Sequence, residues 1–151
     1  NAAAALAATG VVAGSIDAAL GALSDARVSG MRMDVRRTAS GAVVVNDAYN
    51  ANPASATAGL RALGRMRADR RVAVLGPMGE LDDPETGHRE VADTARELGI
   101  ELVAVGTDLY GVEPVEDPIV AVGPLSSGDA ILVKASRAAG LEWVAAALLS
   151  G

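Results

Sequence analysis

Short apolar runs constrain the fold of this chain more than any other feature of its sequence. Two lie in AVVVNDA (42–48) and RVAVLG (71–76), and three more follow: LVAV (102–105), IVAV (119–122) and AILV (130–133). Strands that are apolar throughout must be covered on both faces, which is typical of mainly parallel sheets. The runs therefore predict buried strands of an α/β fold with helices on both sides of the sheet.

Amphipathic segments separate and follow these runs. Three helices are predicted, one begun by Pro53, one ended by Gly99 and one over about 138–149. The segment MRMDVRRT (31–38) alternates like a half-buried strand, and Ser40-Gly41 turns it back into the next run, which predicts a hairpin. The expected fold is a Rossmann-like, mostly parallel sheet with one antiparallel strand at its start.

The first residues follow a helical pattern, unlike the apolar runs of the rest of the chain. An Ala-rich helix over 1–8 and a second helix after Ser15 predict a short helical stub, 1–28, that ends a preceding domain. Residues 29–151 then form the Rossmann-like domain, and the linker at Ser29-Gly30 is the expected hinge. The chain starts at Asn1 without an initiator Met, so we expect it to be a piece of a longer protein.

Composition excludes several classes of protein and site. The formal charge of −6 argues against binding nucleic acid or an anionic membrane, and no apolar stretch approaches the length of a bilayer span. The chain has no Cys, which excludes disulfides and thiolate metal sites. Aromatic residues make up only 2% of it, so the core is aliphatic and Trp143 is expected in the core or at its margin.

Polar residues follow three of the predicted strands, at 46–53, 76–81 and 134–137. Ligands of open α/β sheets bind at the carboxyl ends of strands, so these loops are the candidate site. Asp47 is suited to a ribose hydroxyl or a metal ion, and Tyr49 to stacking on a ligand ring. Asn residues before a Pro also have an ordinary explanation, a turn that starts a helix.

Two further polar groups have competing explanations. His88 is the only histidine, and its place near the start of a helix favours a capping or packing role over catalysis. Glu80, Asp82, Asp83 and Glu85 form an acidic loop that is more simply a solvated loop than a magnesium site. We therefore predict no metal ligands in this chain.

Five motifs in register resemble the Mur ligase family, in particular the branch that adds a dipeptide. DAYNANP (47–53) is similar to the DSYNANP of that branch, and LVKASR (132–137) to LVKGSR. NAAAALAA, SGMRMD and VLGPMGELDDPETGH resemble the family's NALAAAA, P-G-R-x-E and VLGDMxELG…H. The resemblance covers nearly the whole chain.

The resemblance implies a cytoplasmic enzyme of peptidoglycan precursor synthesis. With ATP and Mg²⁺ such a ligase phosphorylates the carboxylate of UDP-N-acetylmuramoyl-tripeptide, and the amine of D-Ala-D-Ala attacks the acyl phosphate. On the ATP side it implies Asn1 at the adenine, Arg32 at the γ-phosphate, Asp47 at the ribose and Tyr49 beside the adenine. On the substrate side it implies Asn50, Asn52, Lys134, Ser136 and Arg137. By their local pattern alone, Arg32 and Lys134 would be ordinary surface cations.

The chain also departs from the family. It has no G-x-x-x-x-G-K-[ST] loop, so we expect this C-terminal portion to fold, as a monomer, but not to catalyse ligation by itself. Pro77 stands where the family usually has Asp, and Ala135 replaces the Gly of KGSR. Two alternatives remain: another Mur ligase, disfavoured because no DNPR-like motif occurs, and a stand-alone Rossmann module that binds a nucleotide or a partner.

Overall fold

The apolar runs form a five-stranded sheet with helices on both faces in the computed structural model, which describes residues 33–151. The strands are β1 (Asp34–Arg37), β2 (Val43–Asp47), β3 (Arg70–Leu75), β4 (Glu101–Ala104) and β5 (Asp129–Lys134). The helices are α1 (Pro53–Arg65), α2 (Pro84–Glu97), α3 (Pro118–Val122) and α4 (Glu142–Ser150), and a 3-10 turn covers Arg137–Ala139. The predicted stub over 1–28 and the linker at Ser29-Gly30 lie outside the described residues.

The sheet has the strand order β1-β2-β5-β3-β4. Only β1 is antiparallel to its neighbour, and the other pairs are parallel. Gly41 takes a φ of +91° in the turn from β1 to β2, where the Thr38 hydroxyl accepts the Ala42 N–H at 3.0 Å. The predicted hairpin and the mostly parallel sheet are therefore confirmed.

Successive residues of each central strand enter two separate cores. Val43 and Val45 of β2 pack with α1 and α2, whereas Val44 packs with α3 and α4. In β5, Leu132 belongs to the first core and Ile131 to the second. Successive side chains of a strand point to opposite faces of the sheet, and each face is covered by a helical layer. The runs are therefore apolar throughout.

Two predicted elements were wrong in type or extent. The run 119–122 is part of helix α3 and not a strand, because Asp117 caps its first N–H groups, Pro118 is the first helical residue, and Gly123 ends it at a φ of +72°. The last helix begins later than expected, because Gly140 adopts a left-handed φ of +61° after the 3-10 turn. Trp143 on α4 is 51% exposed and therefore lies outside the core.

Candidate functional site

Three loops meet at the carboxyl edge of the sheet, because β2, β5 and β3 are adjacent there. We call them the Asp47 loop (46–53), the Gly76 loop (76–81) and the Lys134 loop (134–137). Backbone hydrogen bonds tie them together: Gly76 N–H to Lys134 O at 3.0 Å, Ser136 N–H to Pro77 O at 2.9 Å, and Gly79 N–H to Ala51 O at 3.2 Å. The structure thus brings together the three polar segments that the sequence singled out.

Asp47 and Lys134 form an ion pair at the centre of this site. They are register partners at the ends of two parallel strands, and Lys134 Nζ lies 2.6 Å from Asp47 Oδ2. The same ammonium donates to the backbone carbonyl of Asn50 at 2.7 Å. The Lys134 side chain is 2% exposed and that of Asp47 14%, so the carboxylate is the more accessible partner.

Tyr49 and Arg137 come together at the exposed side of the site. The Arg137 guanidinium donates to the Tyr49 hydroxyl at 3.2 Å, and its carbon lies 5.2 Å from the centre of the Tyr49 ring. Arg137 is exposed and Tyr49 half-buried. A guanidinium beside an aromatic ring offers a ligand both a stacking surface and a positive charge.

Asn52 has a structural task at the start of α1. Its side chain accepts the Ser55 N–H at 2.9 Å, and the Ser55 hydroxyl accepts the Asn52 N–H at 3.1 Å, which makes a capping box. Asn50 is exposed, and its backbone carbonyl is held by Lys134. Ser136 is partly exposed between the Gly76 loop and the 3-10 turn, where its hydroxyl makes no capping bond.

Two buried rings, those of His88 and Tyr110, hydrogen-bond to the backbone of the Gly76 loop. His88 Nε2 accepts the Met78 N–H at 3.0 Å, and Nδ1 donates to Pro84 O at 2.5 Å, which fixes a neutral imidazole protonated at Nδ1. Of the two predicted roles, packing is confirmed, because His88 is 1% exposed, whereas the cap of α2 is Asp83. Tyr110 meets His88 edge-on, with ring centres 4.8 Å apart, and donates to Gly76 O at 2.8 Å. Burial raises the pKa of Tyr110 above its ordinary value.

Sequence reasoning did not identify Tyr110 as part of the site. It lies in an irregular segment without periodic pattern, and only the scarcity of aromatics in the chain could have drawn attention to it. Glu80, in the Gly76 loop, also has a feature that the pattern does not reveal, a left-handed φ of +56°. For a residue with a Cβ this backbone conformation is uncommon and is often found beside functional sites.

The acidic segment that follows is engaged in helix capping. Asp83 caps α2 by accepting the Thr86 N–H, and hydrogen bonding by the Thr86 side chain, together with this backbone bond, lowers the pKa of Asp83. Among residues 33–151, no group of three or more His, Asp or Glu side chains is placed to hold a metal ion. Within that same range, no helix is both long and apolar enough to cross a membrane.

The backbone accommodates the two residues that depart from the family pattern, Ala135 and Pro77. Ala135 does not have a positive φ, and its side chain is buried against Gly76. Pro77 contributes its carbonyl to the bond with Ser136. Asn1 and Arg32, expected on the ATP side, lie outside the described residues.

Comparisons with known proteins show which family the chain resembles in sequence. A family model described as "Mur ligase, glutamate ligase domain" matches residues 31–148. The UDP-N-acetylmuramoyl-tripeptide–D-alanyl-D-alanine ligase of Mycobacterium tuberculosis is 37% identical over 161 residues, covering 82% of this chain and 32% of the relative. The ligase of the same name from Escherichia coli is 32% identical over 163 residues, covering 98% of this chain and 36% of the relative.

Solved structures show the same fold. A MurF structure from Acinetobacter baumannii has a TM-score of 0.68 at 26% identity, with 94% of this chain and 35% of that one covered. The MurF ligase of Thermotoga maritima, solved in complex with ADP, has a TM-score of 0.69 at 23% identity, with 89% and 37% covered. The chain thus spans about a third of the length of these proteins, and it belongs to the Mur ligase family.

Proposed function

We propose that the chain is the C-terminal part of an ATP-dependent ligase that joins D-Ala-D-Ala to UDP-N-acetylmuramoyl-tripeptide. The observation that carries the proposal is the Asp47 loop: DAYNANP follows β2 at the carboxyl edge, where Asp47, Tyr49 and Arg137 lie together. The relatives named for this reaction support the choice of substrates. Because the chain covers about a third of them, the activity belongs to the longer protein.

The reaction proceeds in two steps. The γ-phosphoryl group of ATP passes to a carboxylate oxygen of the tripeptide and ADP leaves. The amine of the dipeptide then attacks the acyl carbon, and inorganic phosphate leaves as the amide forms. Such chemistry depends on positioning the reactants and neutralising their charge. We assign Asp47 to the ribose hydroxyls and Tyr49 to the adenine, with Asn1 and Arg32 on the same nucleotide.

The substrate side is assigned to the exposed polar groups of the site. Arg137 offers a guanidinium to a carboxylate or phosphate, and Asn50, Asn52 and Ser136 offer amide and hydroxyl groups at the same edge.

The described residues do not fit a magnesium site, since Asp47 is a single carboxylate already paired with Lys134. We therefore assign Mg²⁺ to the ATP phosphates and to ligands outside residues 33–151. We place the ligase in the cytoplasm as a monomer.

The test is phosphate release by the full-length ligase that carries this segment. We expect release only when ATP, UDP-N-acetylmuramoyl-tripeptide and D-Ala-D-Ala are all present, and none from the 151-residue chain alone. Release with a single amino acid in place of the dipeptide would identify another Mur ligase. Tight NADH binding in a calorimeter, without any phosphate release, would instead support a stand-alone Rossmann module.

A matched pair of variants connects the reaction to this site. Asp47→Asn in the full-length ligase should raise the KM for ATP, because the amide is a weaker acceptor for ribose hydroxyls and leaves Lys134 without its counter-charge. Asp93→Asn removes an exposed carboxylate that pairs with Arg96 on α2, and it should leave the kinetics unchanged. Equal kinetics for both variants would argue against the proposed nucleotide site.

A further inference from the structure

Lys134 is the buried cation of the candidate site, and its surroundings distinguish it from a ligand-binding lysine. Its side chain is 2% exposed, although lysines are almost never fully buried unless they are paired. The ammonium is already engaged by Asp47 Oδ2 and by the Asn50 carbonyl. These two bonds use two of the three N–H groups of the ammonium, and the burial of the side chain restricts the access of a substrate anion to the third.

The fold explains why the ammonium lies there. Lys134 is the last residue of β5 and points to the same face of the sheet as Leu132, toward α1. A Cβ built on Gly59 of α1 would lie 3.8 Å from Lys134 Cδ, an ordinary contact distance, and 3.2 Å from a Leu132 methyl group, so the lysine stem lies directly against this part of the helix. The stem packs under α1, and its charged end meets the loop that leads into that helix.

The two partners of Lys134 lie at the first turn of the Asp47 loop. Asp47 is the last residue of β2, and Asn50 lies three residues on, before the helix begins at Pro53. One ammonium thus fixes both a side chain and a backbone carbonyl of the same loop. This leaves Asp47 Oδ1 as the carboxylate oxygen that Lys134 does not engage.

We propose that Lys134 is a positioning residue, which acts on the nucleotide through Asp47 and does not bind the substrate itself. This inference deepens the proposed function and rests on it. It replaces the substrate contact that the sequence resemblance implies for Lys134. Of the two basic residues of the Lys134 loop, only Arg137 is exposed enough to meet a ligand directly.

The test is a double-mutant cycle in the full-length ligase with Lys134→Met, Asp47→Asn and the two combined. Methionine keeps the length of the stem without its charge, and the combined variant leaves neither charge unpaired, so it should fold even if Lys134→Met does not. We expect Lys134→Met to raise the Kd for ADP about tenfold or more. In the Asp47→Asn background the same change should add less than about threefold, because the two residues act as one unit.

The competing outcome is equally specific. If Lys134 binds the substrate directly, its replacement will raise the KM for D-Ala-D-Ala or the tripeptide, leave the Kd for ADP unchanged, and add fully to the effect of Asp47→Asn. That result overturns the proposal. Arg96→Met, which removes an exposed arginine on α2, serves as the control for loss of a positive charge.

A second readout needs no ligand and keeps this inference separate from the proposed function. Amide hydrogen exchange in residues 47–53 of Lys134→Met should be at least about tenfold faster than in the wild type, with residues 84–97 unchanged. Unchanged exchange in the Asp47 loop overturns the positioning role. If the loop responds but the wild-type ligase neither binds ADP nor releases phosphate, the proposed function fails, the role toward the nucleotide fails with it, and only the ordering of the Asp47 loop by Lys134 stands.

Discussion

The buried phenol of Tyr110, at the candidate site, makes the free energy of unfolding depend on pH. Tyr110 is 2% exposed, and its hydroxyl donates to the Gly76 carbonyl. Burial disfavours the phenolate and raises the pKa of the folded state, whereas the unfolded chain ionises at about pH 10. The contribution of this group is therefore complete below about pH 10 and is lost as the pH rises toward the folded-state value.

Tyr110→Phe tests this linkage. Near neutral pH the variant should lose about 1 kcal/mol, since the Gly76 carbonyl loses its donor. Above about pH 10 the wild type should lose up to about 1.4 kcal/mol per pH unit through this residue, and the variant should not, so the two free energies of unfolding converge. Urea titrations from pH 8 to 11 measure the difference. A difference that stays constant with pH would contradict the assignment, and Tyr49→Phe is the control for losing a phenol elsewhere.

The contact between Gly76 and Ala135 explains how the chain accepts its departure from the family pattern. A Cβ at Gly76 would lie 2.8 Å from Ala135 Cβ and 2.8 Å from Leu141 Cδ1. We expect Gly76→Ala to lower the free energy of unfolding by about 1–3 kcal/mol, because the loops cannot separate without breaking their backbone bonds. Adding Ala135→Gly should recover part of that loss, and two independent, additive effects in denaturant titrations would disprove the contact.

At the residue scale, the sequence could locate the candidate site but not its contacts. Strand ends mark the loops, because parallel strands end at one edge of the sheet. The pairing of Lys134 with Asp47 depends on a register between strands 87 residues apart, which no local pattern contains. The hydrogen bond of Tyr110 to Gly76 O could not be predicted for the same reason, because Tyr110 lies in an irregular segment whose local sequence does not indicate its partner.

Three helices begin with the same two-residue signal. Asn52-Pro53, Asp83-Pro84 and Asp117-Pro118 each place a capping side chain before a proline at the first helical position. This signal predicts α1 and α2 correctly, and it would also have identified α3. The run 119–122 alone does not distinguish the two, because four apolar residues fit a buried strand and a short helix equally well. The cap, and not the hydrophobicity, decides between them.

The capping box of α1 can be tested apart from any substrate contact of Asn52. Asn52→Ala should lower the free energy of unfolding by about 1 kcal/mol, because the Ser55 N–H loses its acceptor. Asn52→Asp retains an oxygen at the cap and should stay close to the wild type. Denaturant titrations of the two variants check this, and equal losses would contradict the capping role. A raised KM in Asn52→Asp, at unchanged stability, would add a substrate contact.

The sheet unites two helical layers into one folding unit. Residues of β5 alternate between them, with Leu132 facing α1 and α2 and Ile131 facing α3 and α4, and both are fully buried. Neither layer can keep its core if the shared central strand is lost. The alternation of apolar runs and helices was sufficient to predict this architecture, because covering both faces of a sheet is a requirement of the whole molecule.

Because both layers depend on β5, they should unfold together. Ile131→Ala and Leu132→Ala should each lower the free energy of unfolding by about 2–5 kcal/mol with little change in the denaturant m-value. Fluorescence of Trp143 reports on the α3 and α4 layer, whereas far-ultraviolet circular dichroism reports on all helices, so in each variant the two signals should give the same midpoint. Val120→Ala, at a side chain 74% exposed, is the control and should change little. Separate midpoints, with Leu132→Ala leaving the Trp143 transition in place, would mean that the layers are independent units.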